Sequence, residues 1–237
     1  MTINTRFTGT IGDDYDLFKL AVPHFNEIQA EVARLVNAHY ESSSLTRSYR
    51  VLEIGSGSGE TTKKVLGASE NITVFALDND PAMLQQARHN LASFGDRVQF
   101  ICSDALSELM HLNSACFDAF VSGFTLHNLE YEYRQRLVRE VSRLLTPAGI
   151  YVNADKYAPN NPVDHAKDLV NQLDAFKIFD EMSRPDLRES WTKHYQEDEY
   201  TKWTEADEVR VLGDSGFNDF KCVYRRNMEA IFSAMRG

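Results

Sequence analysis

The segment Val51-Leu52-Glu53-Ile54-Gly55-Ser56-Gly57-Ser58-Gly59-Glu60-Thr61-Thr62 sets three glycines at alternate positions behind a short apolar run. Glycines so placed permit a tight turn and let a ligand touch bare backbone. A helix beginning at Glu60 would point its unpaired amides at the same spot. A second apolar run ends in Asp78, nineteen residues beyond Gly59. That spacing suits a carboxylate that accepts both hydroxyls of an adenosine ribose. A dinucleotide would need its pyrophosphate at the helix N-terminus, with a glycine three places after the second. Glu60 stands there instead, and Glu53 flanks the loop from the other side. Two carboxylates favour an adenosyl ligand with a cationic centre and no phosphate. S-adenosylmethionine is such a ligand, with a ribose for Asp78, an ammonium for the Glu53 side and a sulfonium between them.

The elements that must hold this loop can be read from periodicity. Residues 51–54, 72–77, 98–102, 117–121 and 150–152 form near-continuous apolar strands. Amphipathic helices alternate with them, one opened by Asp80 and Pro81 and carrying Met83, Leu84, Ala87 and Leu91 inward. This alternation predicts an α/β, Rossmann-like, doubly wound sheet, mostly parallel, with helices on both faces. Strands 220–224 and 231–235, joined through Arg225-Arg226-Asn227, close it as an antiparallel pair. The chain divides into an N-terminal helical cap (1–48), a ligand-binding core (49–157), a helical lid insertion (158–204), and a C-terminal helix with the closing strands (205–237). Pro23 breaks or starts a helix in the cap. Leu169, Leu173, Phe176 and Phe179 mark one helix of the lid, while residues 184–203 are assigned to no element.

With these segments in order, the chain resembles a class I S-adenosylmethionine-dependent methyltransferase over roughly residues 49–155 and the closing strands. Glu53 to Gly59 is similar to that family's first motif, and Asp78 to its ribose acid. Asp104-Ala105 is similar to the pair beside the adenine. Ser122-Gly123-Phe124-Thr125-Leu126-His127-Asn128-Leu129 resembles the segment after the fourth strand, and Leu145-Thr146-Pro147-Ala148-Gly149 the turn before the fifth. The resemblance implies S-adenosyl-L-methionine as cofactor, S-adenosyl-L-homocysteine as product, and Tyr15, Glu53, Gly55, Ser56, Gly57, Gly59, Thr61, Asp78, Asn79, Met83, Asp104, Ala105, Ser122 and Phe124 as cofactor-binding residues. Some of these have plainer roles open to them. Asp104 could be a helix cap, and Met83 part of the apolar stripe.

Methyl transfer from a sulfonium is an in-line displacement, in which positioning and desolvation supply much of the acceleration. A base is needed only where the acceptor must lose a proton. His127 is the candidate, with Asn128 beside it, and an ordinary polar residue bonded to a carbonyl is the alternative. His24, Phe25, His127, Tyr157, Trp191 and Tyr195 are the candidate acceptor-binding residues, drawn from the flanks that would fold over the strand ends. No metal is expected, because Ser122-Gly123 follows the fourth strand and Asp155 alone follows the fifth. A serine hydrolase is excluded by the lack of a Gly-x-Ser-x-Gly elbow after a central strand. The stretch Val22-Pro23-His24-Phe25-Asn26-Glu27-Ile28 is similar to the start of the carboxy-S-adenosylmethionine synthase subgroup, which serves tRNA wobble-uridine modification. That subgroup holds its extra carboxylate with a lid arginine, and counting back from Gly216-Phe217 puts Lys193 there. The departure favours methyl transfer, with the synthase, or an adenosyl-binding module without turnover, as alternatives.

The 237 residues carry 25 Lys+Arg against 35 Asp+Glu, a net charge of −10. Such a balance disfavours a protein that lives on phosphate backbones, so a small-molecule acceptor is expected and no direct nucleic-acid contact. No apolar run is long enough for a membrane span, and residues 1–14 have polar positions where a signal peptide needs an apolar stretch. Three scattered cysteines, Cys102, Cys116 and Cys222, suit a reducing compartment. A cytoplasmic location is expected, and a homodimer is compatible with the chain.

Overall fold

Apolar residues recurring at strand and helix periods give seven strands and ten helices among the described residues of the computed structural model. These are residues 15–22 and 24–237, with all side chains but those of Tyr15 and Asp16. In chain order they are α1 (Tyr15–Ala21), α2 (Phe25–Ser42), β1 (Tyr49–Ile54), α3 (Glu60–Ala68), β2 (Ile72–Asp78), α4 (Pro81–Asn90), β3 (Val98–Cys102), α5 (Ala105–Leu109), β4 (Phe117–Gly123), α6 (Tyr131–Leu144) and β5 (Leu145–Lys156). There follow α7 (Pro162–Ala175), α8 (Ile178–Glu181), α9 (Pro185–Glu197), α10 (Glu205–Asp214), β6 (Phe217–Arg226) and β7 (Glu229–Arg236).

The strands form one sheet in the order β3-β2-β1-β4-β5-β7-β6. The first five are parallel, while β7 runs antiparallel to both β5 and β6. Alternate side chains feed two apolar layers. Val51, Val74, Val121 and Val152 meet Ile28, Val32 and Val36 of α2 and Val65 of α3 on one face. Leu52, Phe120 and Tyr151 meet Leu137 and Val141 of α6 and Leu212 of α10 on the other. Full burial of such side chains contributes ~1.5–3 kcal/mol each. Strand order reverses between β1 and β4, and the crevice beyond their carboxyl ends is where ligands of such sheets sit.

Local structure differs from the sequence expectation in four places. First, residues 145–149 lie inside β5 rather than in a turn before it. Leu145 already pairs with Phe117, and the register then skips to Ala119 opposite Ile150, a bulge with Ala148 at φ 60°. Second, Arg225 and Arg226 belong to β6. The turn is Asn227-Met228, with Asn227 in the left-handed region at φ 49°. Arg225 is an ion-pair partner of Glu205 rather than a solvated turn residue. Third, the single helix marked by Leu169, Leu173, Phe176 and Phe179 is two: α7 begins at Pro162, where the Asn161 side chain caps it by accepting from the Val163 amide, and ends at Ala175, and Phe179 lies in α8. Fourth, residues 184–203, assigned no element from the sequence, contain α9. Its buried residues Leu187, Trp191, His194 and Tyr195 follow a helical period that the polar His194 disguises.

The lid packs into the sheet's own layer. Phe176, Phe179, Leu187, Trp191 and Tyr195 share one buried cluster with Phe18 and Phe25 of the N-terminal helices. The expectations for residues 1–14 and Pro23 fall outside the described residues. Among the described residues, no helix is long and apolar enough to cross a membrane.

Candidate active site

The glycine loop lies between β1 and α3, and its three glycines have φ of 70°, 51° and 92°. A side chain at Gly55 would run into Thr125, whose Oγ1 lies 2.1 Å from the position of a Cβ. At Gly57 nothing lies within 4 Å of that position, so its backbone faces open space that a ligand can enter. The Gly57 amide donates to Asp78 Oδ2 at 2.7 Å, and the Asp80 amide to Asp78 Oδ1 at 2.9 Å. Burial raises the Asp78 carboxyl, and these two amides oppose the rise. Asp78 thus ties the end of β2 to the loop with each oxygen at the rim of the crevice. Asp80, as expected, caps α4 through the Ala82 amide at 2.8 Å.

Glu53 lies fully buried beneath the loop. Its Oε2 accepts from Thr62 Oγ1 at 2.6 Å, while Oε1 has no hydrogen-bond partner. Burial pushes this carboxyl up to about 8, against the Thr62 bond. An unpaired buried carboxylate oxygen is costly, and a ligand ammonium would satisfy it. Ser56 Oγ is likewise buried without a partner. Together with the open backbone at Gly57 and the acid at Asp78, these groups fit the ammonium, backbone-contacting and ribose parts of S-adenosylmethionine.

Several residues expected at the cofactor have structural partners. Thr61 Oγ1 donates to Gln29 Oε1 at 2.6 Å, which fastens α3 to α2. Ser122 Oγ donates to the Ile54 carbonyl at 3.1 Å and clips β4 to β1. Asp104 caps α5 through the Ser107 amide and accepts from Tyr133 Oη at 2.8 Å, and Ala105 is the first helical residue after it. Met83 is buried on α4 and Asn79 is exposed beside Asp78. The side chain of Tyr15 lies outside the described residues.

Beyond β4 and β5 the structure gathers a second group. Phe124 (φ 53°) stacks on Phe25 at 5.5 Å and meets Phe18 edge-on, and Phe18 stacks on Trp191 at 4.3 Å. This aromatic wall joins the N-terminal helices, the β4 end and the lid. Next to it, in the turn Leu126–Asn128, the His127 amide donates to Asp155 Oδ2 at 3.0 Å, and His127 Nδ1 lies 2.5 Å from Asp155 Oδ1. Asn128 is buried, its Nδ2 donating to the Thr125 carbonyl at 3.2 Å. Across the crevice, Asp198 Oδ2 lies 3.9 Å from His127 Nε2 and 3.8 Å from His194 Nε2, and Lys156 makes an ion pair with it. The Lys156 ammonium sits 3.7 Å from the centre of the Tyr195 ring.

Burial and the Lys156 charge lower the His127 pKa, outweighing Asp155, so the imidazole is neutral at pH 7. Burial opposes ionisation of Asp155, yet His127 and Arg134 keep it below the usual carboxylate range. Asp198 is held well below that range against its burial, first by Lys156 and then by His127 and His194.

Of the expected acceptor residues, the structure brings Phe25, His127, Trp191 and Tyr195 into this group and leaves two elsewhere. His24 is at the surface, between Glu27 and Arg226. Tyr157 lies under Asp155 in a fully buried group, its hydroxyl accepting from Asn153 Nδ2 and its ring facing the Arg134 guanidinium. That guanidinium pairs with Glu208 and lies over Trp203. His194 was read from the sequence only as one of the lid's dense aromatic residues, and Asp198 and Lys156 were given no role at the site. The signal for the first two was a His and an Asp four residues apart, one helical turn, after Trp191. A recess of about 500 Å³ between α10 and β6, lined by Glu205, Val209, Phe220 and Cys222 among others, holds none of these residues.

Comparison with known proteins agrees with this geometry. A family model described as a methyltransferase domain matches residues 51–149, from β1 to the bulge of β5. The chain is 22% identical over 225 residues to a carboxy-S-adenosyl-L-methionine synthase of Nautilia profundicola, covering 93% of this chain and 89% of that one. It is 23% identical to the synthase of Trichodesmium erythraeum, covering 91% and 82%. Among solved structures it is similar to the CurJ carbon methyltransferase (TM-score 0.65, 16% identity, 88% of this chain and 54% of that one). The pyocyanin biosynthetic protein PhzM gives TM-score 0.56 at 20% identity, covering 86% and 55%. The [4+2]-cyclase SpnF gives 0.59 at 16%, covering 86% and 80%. The chain thus spans about half the length of CurJ and PhzM, and at these identities the structural likeness concerns the fold. The glycine loop, its acid and the sheet order agree with that match, so residues 51–149 form a methyltransferase domain of the kind the family model describes.

Proposed function

We propose that this protein transfers the methyl group of S-adenosylmethionine to a hydroxyl, thiol or amine of a small organic molecule held between the lid and the β4–β5 end of the sheet. The observation that carries the reading is the His127–Asp155 pair, buried beside the aromatic wall of Phe25, Phe124 and Trp191. The cofactor supplies an electrophilic methyl group on a sulfonium. Glu53, Gly57 and Asp78 would hold its ammonium, backbone-facing and ribose parts. Asp155 fixes the His127 ring and its Nδ1 proton, so a neutral Nε2 accepts the acceptor's O–H, S–H or N–H and orients the attacking lone pair. The aromatic wall excludes water, and the N-terminal helices reinforce it through a Lys19–Glu60 ion pair of 2.6 Å beside the glycine loop. Asp155 and Asp198 against Lys156 leave the chamber inhospitable to an anionic acceptor.

A second reading rests on the curated relatives, which carry the name carboxy-S-adenosyl-L-methionine synthase and match over nearly the full chain. Against it, Lys193, the counterpart of that subgroup's lid arginine, is 77% exposed on the outer face of α9, with Glu197 as its neighbour. Mass spectrometry of nucleosides after incubation with S-adenosylmethionine and acceptor pools separates the readings. S-adenosylhomocysteine formed only in the presence of an acceptor supports methyl transfer. A carboxylated nucleoside carried through purification overturns it in favour of the synthase, and tight binding with neither product favours a binding module. His127→Ala and Asp155→Asn are expected to lower kcat by ~10²–10⁴ while cofactor affinity stays unchanged in calorimetry.

A further inference from the structure

We propose that His127, His194 and Asp198 together bind one divalent first-row transition-metal ion, of the zinc or cobalt type, which tethers the lid to the core and leaves a coordination position open toward the acceptor. The three residues come from separate places in the chain. His127 follows β4, His194 is in the last turn of α9, and Asp198 is one helical turn further on. All three are buried, and one ligand atom from each lies within 4.8 Å of the other two. The Nε2–Oδ2 separations to Asp198 are 3.9 Å from His127 and 3.8 Å from His194. A four-coordinate ion with bonds of ~2.0–2.1 Å sets its ligand atoms about 3.3 Å apart, so the two separations to Asp198 must close by about half an ångström and that between the imidazoles, within 4.8 Å, by up to about 1.5 Å.

The donor set selects the metal. Two imidazoles and one carboxylate suit zinc, cobalt, iron or nickel, whereas magnesium and calcium prefer all-oxygen shells. The outer support points the same way. His127 Nδ1 is held by Asp155 at 2.5 Å, the carboxylate–histidine arrangement that fixes a ligating imidazole with Nε2 toward the metal. Three protein ligands and one open position are the pattern of catalytic rather than structural zinc. An acceptor hydroxyl or thiol in that position would be acidified by the ion and give up its proton to solvent on binding, and His127, with Nε2 on the metal, would then be a ligand in place of the base of the metal-free reading. Lys156 is the competitor. Its ammonium pairs with the Asp198 oxygen that faces both imidazoles, so metal entry requires that ammonium to move aside.

The proposal goes beyond the methyltransferase reading, and its test needs no cofactor. Tag-free, full-length protein is stripped with chelator and titrated with Co²⁺, followed by visible absorption and by calorimetry. One equivalent should bind with the d–d bands of a four- or five-coordinate nitrogen–oxygen site. His194→Gln and Asp198→Asn should abolish saturable binding, Asp155→Asn should weaken it by ~10–100-fold, and Lys156→Met should tighten it several-fold. Circular dichroism checks that each variant is folded. Should these variants fail to fold, Zn²⁺ added to the wild type must shift the ring-nitrogen NMR signals of two histidines together at one equivalent. Absence of 1:1 binding to folded wild type, or equal affinity in folded His194→Gln and Asp198→Asn, would overturn the proposal. S-adenosylhomocysteine affinity of the metal-free protein reports on the methyltransferase reading separately.

Discussion

Glu53 is fully buried with one carboxylate oxygen unpaired, which ties its ionisation to what enters the crevice. Its carboxyl, raised to about 8 by burial, is protonated at pH 7 in the free protein. Between its ordinary value of 4.5 and about 8 the folded chain holds a proton that the unfolded chain has lost, so this group's contribution to stability falls as pH rises through that window. A ligand ammonium against Oε1 reverses the preference and expels the proton. S-adenosylhomocysteine binding should therefore release about one proton at pH 7, fading as pH rises through about 8. Calorimetry in two buffers of different ionisation enthalpy measures it, and Glu53→Gln should remove the buffer dependence. Asp78 acts on affinity instead. Charge-assisted hydrogen bonds are worth ~1.5–3 kcal/mol each and do not add fully, so Asp78→Ala should cost ~2–4 kcal/mol of cofactor binding. Unchanged affinity in the folded variant would mean that the acid serves only the Gly57 and Asp80 amides.

At the scale of elements, acceptor access is decided by α1, α2 and α9. The stack of Phe18 on Trp191 and of Phe124 on Phe25 joins parts of the chain that are far apart in sequence. Lids that exclude water must open for exchange, so these contacts are expected to part when an acceptor enters. Hydrogen exchange should slow in residues 15–22 and 185–197 when cofactor and acceptor bind together. Protection confined to the glycine loop and Asp78 would show that these helices take no part in acceptor capture. The buried Arg134–Glu208 pair with Trp203 and Tyr151 is, by contrast, a fixed element. It anchors α6 to α10 at the lid's return to the core, and its charge reaches Asp155 behind the site.

For the whole molecule, the net charge of −10 sets the class of partner. A field of this sign repels polyanions in both encounter rate and affinity. Three arginines of the lid and the closing strands are paired with acids, Arg225 with Glu205, Arg188 with Asp180 and Arg184 with Asp186. Binding to bulk tRNA should be weak and should vanish between low and physiological salt, as expected for residual phosphate contacts. Micromolar binding that persists at physiological salt would revive a tRNA-linked role.

The β1 to β5 alternation, the glycine loop and Asp78 were legible in the sequence because they are local. A strand period of two, a helix period of 3.6 and a turn that only glycine allows are written in neighbouring residues. The Asp80 cap and the closing antiparallel pair were legible for the same reason. The bulge in β5 was not, since Thr146-Pro147-Ala148-Gly149 spells a turn until Leu145 is seen to pair with Phe117 across the sheet. Helix α9 was obscured by a polar residue on its buried face, and His194 belongs inside only because Asp198 and His127 are there to meet it. Tertiary structure alone decided that Asp155, read from the sequence as a lone carboxylate, holds His127, that Tyr157 turns away to Arg134, and that two lid residues complete a group with the turn after β4. Those contacts join residues 23 to 71 positions apart. Only the folded sheet, which brings the ends of β4 and β5 beneath the lid, sets their distances.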